Sequence, residues 1–202
     1  MKKVIIGTLI SVVLLALIII GKSVSVYNSI IALDEGVKAQ WAQVENTYQR
    51  RYDLIPNLVA TVQGEADFEK STLSAVVEAR SQMGGVVKVD ENMLGDEVAM
   101  KRFQETQATL GGALQRLMAV SENYPDLKSN TSFQELRVQL EGAENRIAVE
   151  RKRYNETVQA YNTTIRMFPN SLIAGFAGAS PKVQFSADAG ASAAPKVEFN
   201  TK

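Results

Sequence analysis

The chain has 202 residues, 46% of them hydrophobic and 22% charged, with 22 Lys and Arg set against 22 Asp and Glu and with neither Cys nor His. Such a length suits one domain with an appendage. Without Cys there are no disulfides, thiol nucleophiles, Cys-bound zinc or lipid-modified cysteine; without His the commonest general base, the Ser-His-Asp triads and most catalytic zinc sites are excluded.

Met1-Lys2-Lys3 precedes an apolar run from Val4 to Ile20, broken only by Gly7, Thr8 and Ser11. As a helix the run measures about 26 Å against a hydrocarbon core of about 30 Å. Lys3 and Lys22 make up the difference by snorkelling. The run exceeds a signal-peptide core of about 7–15 residues, and no Ala-x-Ala follows it. Residues 1–22 are therefore read as an uncleaved membrane anchor. Lys2, Lys3 and the α-amine precede the span, whereas Lys22 after it is followed by Asp34 and Glu35. The positive-inside rule then places the amino terminus in the cytoplasm and the remaining chain outside.

Residues 23–169 read as four amphipathic helices. The first, from about Asn28 to Tyr52, carries the stripe Ile30, Leu33, Val37, Trp41, Val44 and Tyr48. The second starts at Asp53 as N-cap with Pro56 in its first turn, where a missing N–H costs nothing; the alternative is one long helix kinked at Pro56. Leu58, Val62, Phe68 or Glu69, Leu73, Val76 and Met83 follow, and Gly84-Gly85 ends it. A third helix spans about Asp96 to Ser121. Its Gly111-Gly112 pair costs roughly 1 kcal/mol per glycine against alanine and points to a close helix contact or a kink. After a turn at Tyr124-Pro125-Asp126, the last helix begins at a Thr131 or Ser132 cap. Its stripe runs through Phe133, Leu136, Leu140, Ala143, Ile147, Tyr154, Val158, Tyr161, Ile165 and Phe168 to Pro169. Glu150 falls on that stripe, where a polar seam group is expected. Strand signals are absent here. Short connections force antiparallel neighbours, so the expected fold is all-α: an N-terminal transmembrane helix, an elongated antiparallel four-helix bundle and a flexible C-terminal tail.

The tail, residues 170–202, is rich in Ala, Gly, Ser and Pro, a composition that favours flexibility. Leu172, Ile173 and Phe176 make an apolar clump read as a cap over the bundle end. Pro181-Lys182-Val183-Gln184-Phe185 recurs 14 residues later as Pro195-Lys196-Val197-Glu198-Phe199. Each is an alternating, strand-like pentamer. It is either a coincidence of biased composition or a docking strand, with Val183, Phe185, Val197 and Phe199 as anchors that pair with a partner edge.

These residues resemble the LemA family of bacterial membrane-anchored helical proteins. The resemblance rests on Tyr27-Asn28, Trp41, the block from Arg50 through Arg51, Asp53, Leu54, Ile55, Pro56, Asn57 and Leu58 to Val59, then Ala79-Arg80, Leu140-Glu141, Glu144-Asn145, Ile147, Arg151, Tyr154-Asn155, Tyr161-Asn162 and Phe168-Pro169-Asn170. It covers residues 1 to about 176. Tyr52 stands where the family often has His. The resemblance implies a short anchor and an up-and-down four-helix bundle without a defined activity. It also implies partners among TPM-domain proteins or membrane metalloproteases.

Arg50, Arg51, Asp53, Pro56 and Asn57 form the densest polar cluster. It reads either as a recognition surface for a carboxylate or lipid phosphate, or as a structural turn in which Arg51 pairs with Asp53 and Asn57 bonds backbone groups freed by Pro56. Glu141, Glu144 and Glu150 line the last helix. A two-metal carboxylate bundle needs Glu-x-x-His pairs, which this chain lacks. Three glycosylation sequons begin at Asn130, Asn155 and Asn162; two fall inside a helix and the resemblance is bacterial, so they are discounted. Residues 23–169 hold 16 Lys and Arg against 20 Asp and Glu, which opposes nucleic-acid binding. The expected protein is a non-catalytic single-pass protein of the bacterial plasma (inner) membrane with no cofactor or metal. Its rod serves as an interaction or scaffold module in the cell envelope, and tethering favours homo-oligomers. The alternatives are an adaptor or sensor partner of a membrane protease, docking through the tail pentamers, and a carboxylate metal-binding bundle.

Overall fold

In the computed structural model, which describes residues 2–65, 68–83 and 91–186, one helix sets the length of the molecule. Helix α1 spans Lys2–Gln63 without interruption, about 93 Å at 1.5 Å per residue. From Ile5 to Ile20 every side chain is exposed, including Leu9, Leu14 and Ile18. From Ile30 onward the same helix buries a stripe: Ile30, Val37, Trp41, Val44, Tyr48, Arg51, Ile55, Leu58 and Val62. The 3-4 phase never slips, so one helix is apolar and exposed in its first third and lines a protein core in the rest.

The helix break expected at Asp53 is absent. Asp53 caps nothing; its carboxylate accepts a hydrogen bond from Gln49 Nε2 at 2.7 Å, one turn back on the same helix. Pro56 lies inside α1. An interior proline costs roughly 3 kcal/mol, but Leu58 and Val62 beyond it are fully buried, a gain of about 1.5–3 kcal/mol each. The break comes instead at Gly64, where a Cβ would meet the Thr61 carbonyl oxygen at 3.3 Å. Helix α2 then spans Lys70–Gln82. The expected Gly84-Gly85 stop lies outside the described residues.

A 3-10 turn at Glu91–Gly95 leads into α3, Glu97–Ser121. Asp96 caps α3, accepting from the N–H groups of Val98 and Ala99 at 2.9 and 3.1 Å. The helix passes through Gly111 and Gly112. Pro125 opens a short helix, α4, Pro125–Ser129, which buries Leu127 where only a turn was expected. Helix α5 spans Thr131–Arg166 and is capped by Asn130, not by Thr131 or Ser132: the Asn130 side chain accepts from Phe133 N–H at 3.1 Å. A last helix, α6, covers Asn170–Phe176. Among the described residues no strand pairs with another, and residues 181–186 form a lone extended segment outside any sheet.

The core falls into two clusters. At the membrane end Trp41, Tyr48, Phe103, Tyr154, Tyr161 and Phe185 gather around Val37, Val44 and Val158. At the far end Ile55, Leu58 and Val62 of α1 meet Val76 of α2, Leu110, Leu114 and Leu117 of α3, and Phe133, Leu136 and Leu140 of α5. Cross-helix bonds from Gln40 to Glu150 and from Arg51 to Glu144 run in opposite order along α1 and α5.

Candidate interaction surfaces

Between the two clusters sits a polar layer. Arg51 occupies a stripe position of α1 and is 2% exposed. Its Nη1 donates to Glu144 at 2.6 Å, and its Nη2 donates to Gln107 Oε1 at 2.5 Å. The guanidinium also lies over the Tyr48 ring, 5.3 Å from its centre. Gln107 is itself buried on the α3 stripe between Phe103 and Leu110. Three helices are thus tied through one planar cation, a geometry that favours arginine over lysine. Arg51 Nε and Gln107 Nε2 remain buried without a partner.

The predicted polar cluster is split by the helix. Arg51 points inward, whereas Arg50, Asp53, Pro56 and Asn57 lie exposed on the opposite side. Arg51 does not pair with Asp53. Asn57 offers its carbonyl to Thr61 Oγ1 at 2.8 Å. Arg80, carried by α2, lies 4.3 Å from the centre of the Tyr52 ring, at the position where the resembled family often has His. Glu141, Glu144 and Glu150 of α5 do not converge. Glu144 serves Arg51, Glu141 serves Arg137, and Glu150 takes Gln40 and Arg153 on the α1–α5 seam. No group of three or more carboxylates among the described residues could hold a metal ion. An open groove of about 430 Å³ separates α3 from α5, lined by Gly111, Leu114, Gln115, Met118, Leu140 and Glu144.

The first tail pentamer is seated on its own chain. Residues 181–186 lie extended along α5, held by two side-chain amides. Asn162 accepts from Lys182 N–H and donates to the Lys182 carbonyl, both at 2.8 Å. Asn155 does the same for Phe185, at 2.8 and 3.0 Å. Two helical turns between the asparagines rise about 10.5 Å, and three extended residues cover about 10 Å. The spacings agree, so each amide imitates a neighbouring strand. Val183 N–H donates to the Leu94 carbonyl at 2.7 Å, and the Tyr154 hydroxyl donates to the Val183 carbonyl at 3.0 Å. Burial pushes the Tyr154 phenol well above its ordinary range.

Phe185 fills the aromatic core. It stacks on Trp41, with ring centres 5.8 Å apart and planes at 18°, and meets Tyr154 edge-on at 5.4 Å. Arg151 covers its outer face at 4.9 Å. Lys182 pairs with Asp34 at 3.0 Å. Val183 is half-buried against the same core. The signal for this dock was present in the sequence as Asn155 and Asn162 at heptad spacing, both just off the core stripe. The second pentamer, with Val197 and Phe199, lies outside the described residues.

The apolar clump after α5 is only half a cap. Ile173 and Ala174 pack on Val26, Ile30 and Ile165. Leu172 and Phe176 turn outward at 59% and 92% exposure, beside exposed Met167 and Phe168. Phe168, expected at the end of the α5 stripe, is therefore surface.

A family model described as LemA family matches residues 40–199. Magnetosome protein MamQ of Magnetospirillum gryphiswaldense is 29% identical over 171 residues, covering 75% of this chain and 61% of that protein. Magnetosome proteins MamQ 1 and MamQ 2 of Paramagnetospirillum magneticum align with the same identity and coverage. The chain thus spans about three-fifths of the length of these curated relatives. The family match takes in Trp41, Arg51, both asparagines and both pentamers.

Proposed function

The chain belongs to the LemA family, and on that premise we propose that it is a non-catalytic scaffold of the bacterial plasma membrane, presenting a rigid helical bundle to other envelope proteins. The observation that carries this reading is the unbroken α1. Its exposed apolar first third is long and apolar enough to cross a membrane, and it enters the bundle core without a linker. A bundle so joined cannot swing freely; it stands on the membrane as a stalk. The opposite residue order of the α1–α5 bonds supports an antiparallel four-helix arrangement of α1, α2, α3 and α5. The charge balance around the span supports a cytoplasmic amino terminus and a bundle outside it.

The outward Phe168, Leu172 and Phe176 support a bundle seated directly against the bilayer, on whichever side it lies. Exposed aromatic and aliphatic side chains at the level where the span ends belong in the lipid interface. With Trp41 replaced by Phe, a Phe176→Trp reporter in the full chain should be quenched by brominated lipids in nanodiscs. A reporter quenched no more than in water would remove the patch from the bilayer.

The relatives named as magnetosome proteins support a place at a membrane assembly. Cross-linking in intact membranes followed by pull-down tests the scaffold role: discrete adducts with the chain itself or with envelope proteins are expected. A protein found in the wash fraction after cleavage just beyond Ile20, or one that stays strictly monomeric and yields no adduct, would overturn it. A TPM-domain protein or a membrane metalloprotease among the adducts would favour the adaptor reading.

A further inference from the structure

The dock along α5 recognises a short pattern, and the chain contains that pattern twice. Ala179-Ser180-Pro181-Lys182-Val183-Gln184-Phe185 is matched by Ala193-Ala194-Pro195-Lys196-Val197-Glu198-Phe199, differing only at the second and sixth positions. Neither difference touches the anchors. Ser180 and Gln184 are exposed, and the Gln184 side chain adds one peripheral bond to the Asn155 carbonyl at 2.9 Å. What the groove reads is retained in the second copy: backbone for Asn155, Asn162, Leu94 and Tyr154, an ammonium for Asp34, and a phenyl ring for the space beside Trp41.

We propose that residues 195–199 of the same chain are an alternative occupant of this groove, exchanging with residues 181–185. The connection from Phe176 to the docked strand is four residues, 177–180, for the first copy and eighteen, 177–194, for the second. Loop-closure entropy grows only logarithmically with length, so the longer connection disfavours the second copy by roughly tenfold. The first copy therefore dominates, and the second takes over when the first is removed by sequestration, cleavage or mutation. At any moment one pentamer completes the core and the other is available for contacts. The tail becomes a two-position device that keeps the aromatic core closed while a strand is offered outward.

Trp41 is the only tryptophan in the chain and stacks on Phe185, so its emission reports on the occupied groove. In full-length protein in nanodiscs holding one chain each, Phe199→Ala should leave emission and the denaturation midpoint unchanged. Phe185→Ala should shift both slightly, because Phe199 replaces the ring. The double variant should shift both far more than the single effects combined. Phe185→Ala behaving like the double variant, or all three behaving like the unaltered chain, would overturn the proposal. So would loss of the rescue in single-chain discs but not in crowded vesicles, which would assign the second strand to another molecule. Should the double variant not fold, Lys182→Gln and Lys196→Gln provide a milder pair with the same expected non-additivity. A peptide of residues 193–202 added to the double variant should restore the Trp41 emission saturably, and its Phe199→Ala form should not; equal effects of the two would also refute the assignment.

Discussion

The two halves of the core are completed in different ways. At the far end, α2 closes the space between α1 and α3 with aliphatic side chains, and the closing element follows α1 directly in sequence. At the membrane end the described residues place only the short α6 and the 3-10 turn with Leu94 beside α1, α3 and α5, and a six-residue extended segment from beyond α6 completes the wall with one phenyl ring. A helix closes a core through many interchangeable contacts. A strand held by two amides and one ring closes it through a few indispensable ones. The membrane half is therefore the part of the domain whose integrity depends on a removable piece, with the Arg51 layer as the boundary.

Truncation of the aromatic centre should give the largest loss. Phe103 is 2% exposed and touches Trp41, Tyr48 and Phe185 edge-on or tilted. Phe103→Ala should cost about 3–5 kcal/mol in denaturant unfolding, and it should loosen the 181–186 strand in hydrogen exchange. An equal deletion at the far end, Leu110→Ala, should cost about 2–5 kcal/mol while leaving exchange of that strand unchanged. If both deletions release the strand equally, the two halves of the core behave as one unit.

The boundary layer comes next. Glu144→Ala leaves the Arg51 charge buried with Gln107 and the Tyr48 ring as partners but no counter-charge. Glu144 is about half exposed, so the loss should be about 2 kcal/mol, typical of a hydrogen bond to a charged group, rather than the larger figure for a fully buried pair. Combining it with Arg51→Met should recover most of that loss, because no charge then stays in the core. An additive double variant would show that the three-helix link does not depend on charge.

How much of this was legible beforehand follows from phase and range. Apolar spacing locates α3 and α5 closely, since 3-4 periodicity is local. It also contains Arg51: three residues after Tyr48 and four before Ile55, the arginine sits on the stripe, yet its charge and the nearby proline argue for a helix end instead. Pro56 is a local breaker overruled by the burial of Leu58 and Val62, a tertiary gain that no window of sequence displays. Asp53 reads as a cap for the same reason and is none. The Phe185 dock is the hardest case. It needs Asn155 and Asn162 to be taken as ligands for backbone 20 to 30 residues away, and composition alone describes that segment as a linker. The exposed apolar start of α1, by contrast, is legible from seventeen residues, because crossing lipid asks only for length and apolarity.

Alkaline pH should act on the membrane half first. In the unfolded chain Tyr154 ionises near its ordinary value of 10, whereas in the fold burial holds the proton on well beyond it; Tyr161 is raised for the same reason, reinforced by Asp34. A raised folded value means that the stabilisation is complete below pH 10 and is lost as pH climbs towards the folded value. Unfolding free energy should fall above pH 10 by up to about 1.4 kcal/mol per pH unit for each such tyrosine. Tyr154→Phe should flatten one such slope while weakening the strand by its bond to the Val183 carbonyl. A slope that survives the substitution unchanged would assign it elsewhere.

The smallest effect should be a gain. Gly111 and Gly112 suggest close helix packing, but a Cβ at Gly112 would meet nothing within 4 Å, and one at Gly111 would only touch Arg51 Nη1 at an ordinary 3.8 Å. Gly112→Ala should therefore stabilise α3 by up to about 1 kcal/mol through backbone entropy. A glycine kept at an energetic disadvantage, on the wall of a second groove between α3 and α5 that is also lined by Gln104, Gln107 and Arg151, leaves room for something outside the domain to approach the helix backbone. If Gly112→Ala raises the melting temperature and lowers the yield of cross-linked partners, the groove is where a partner seats on the stalk. If it raises stability and leaves every adduct intact, the glycine pair does nothing for assembly, and the contact surface lies at the tail strand instead.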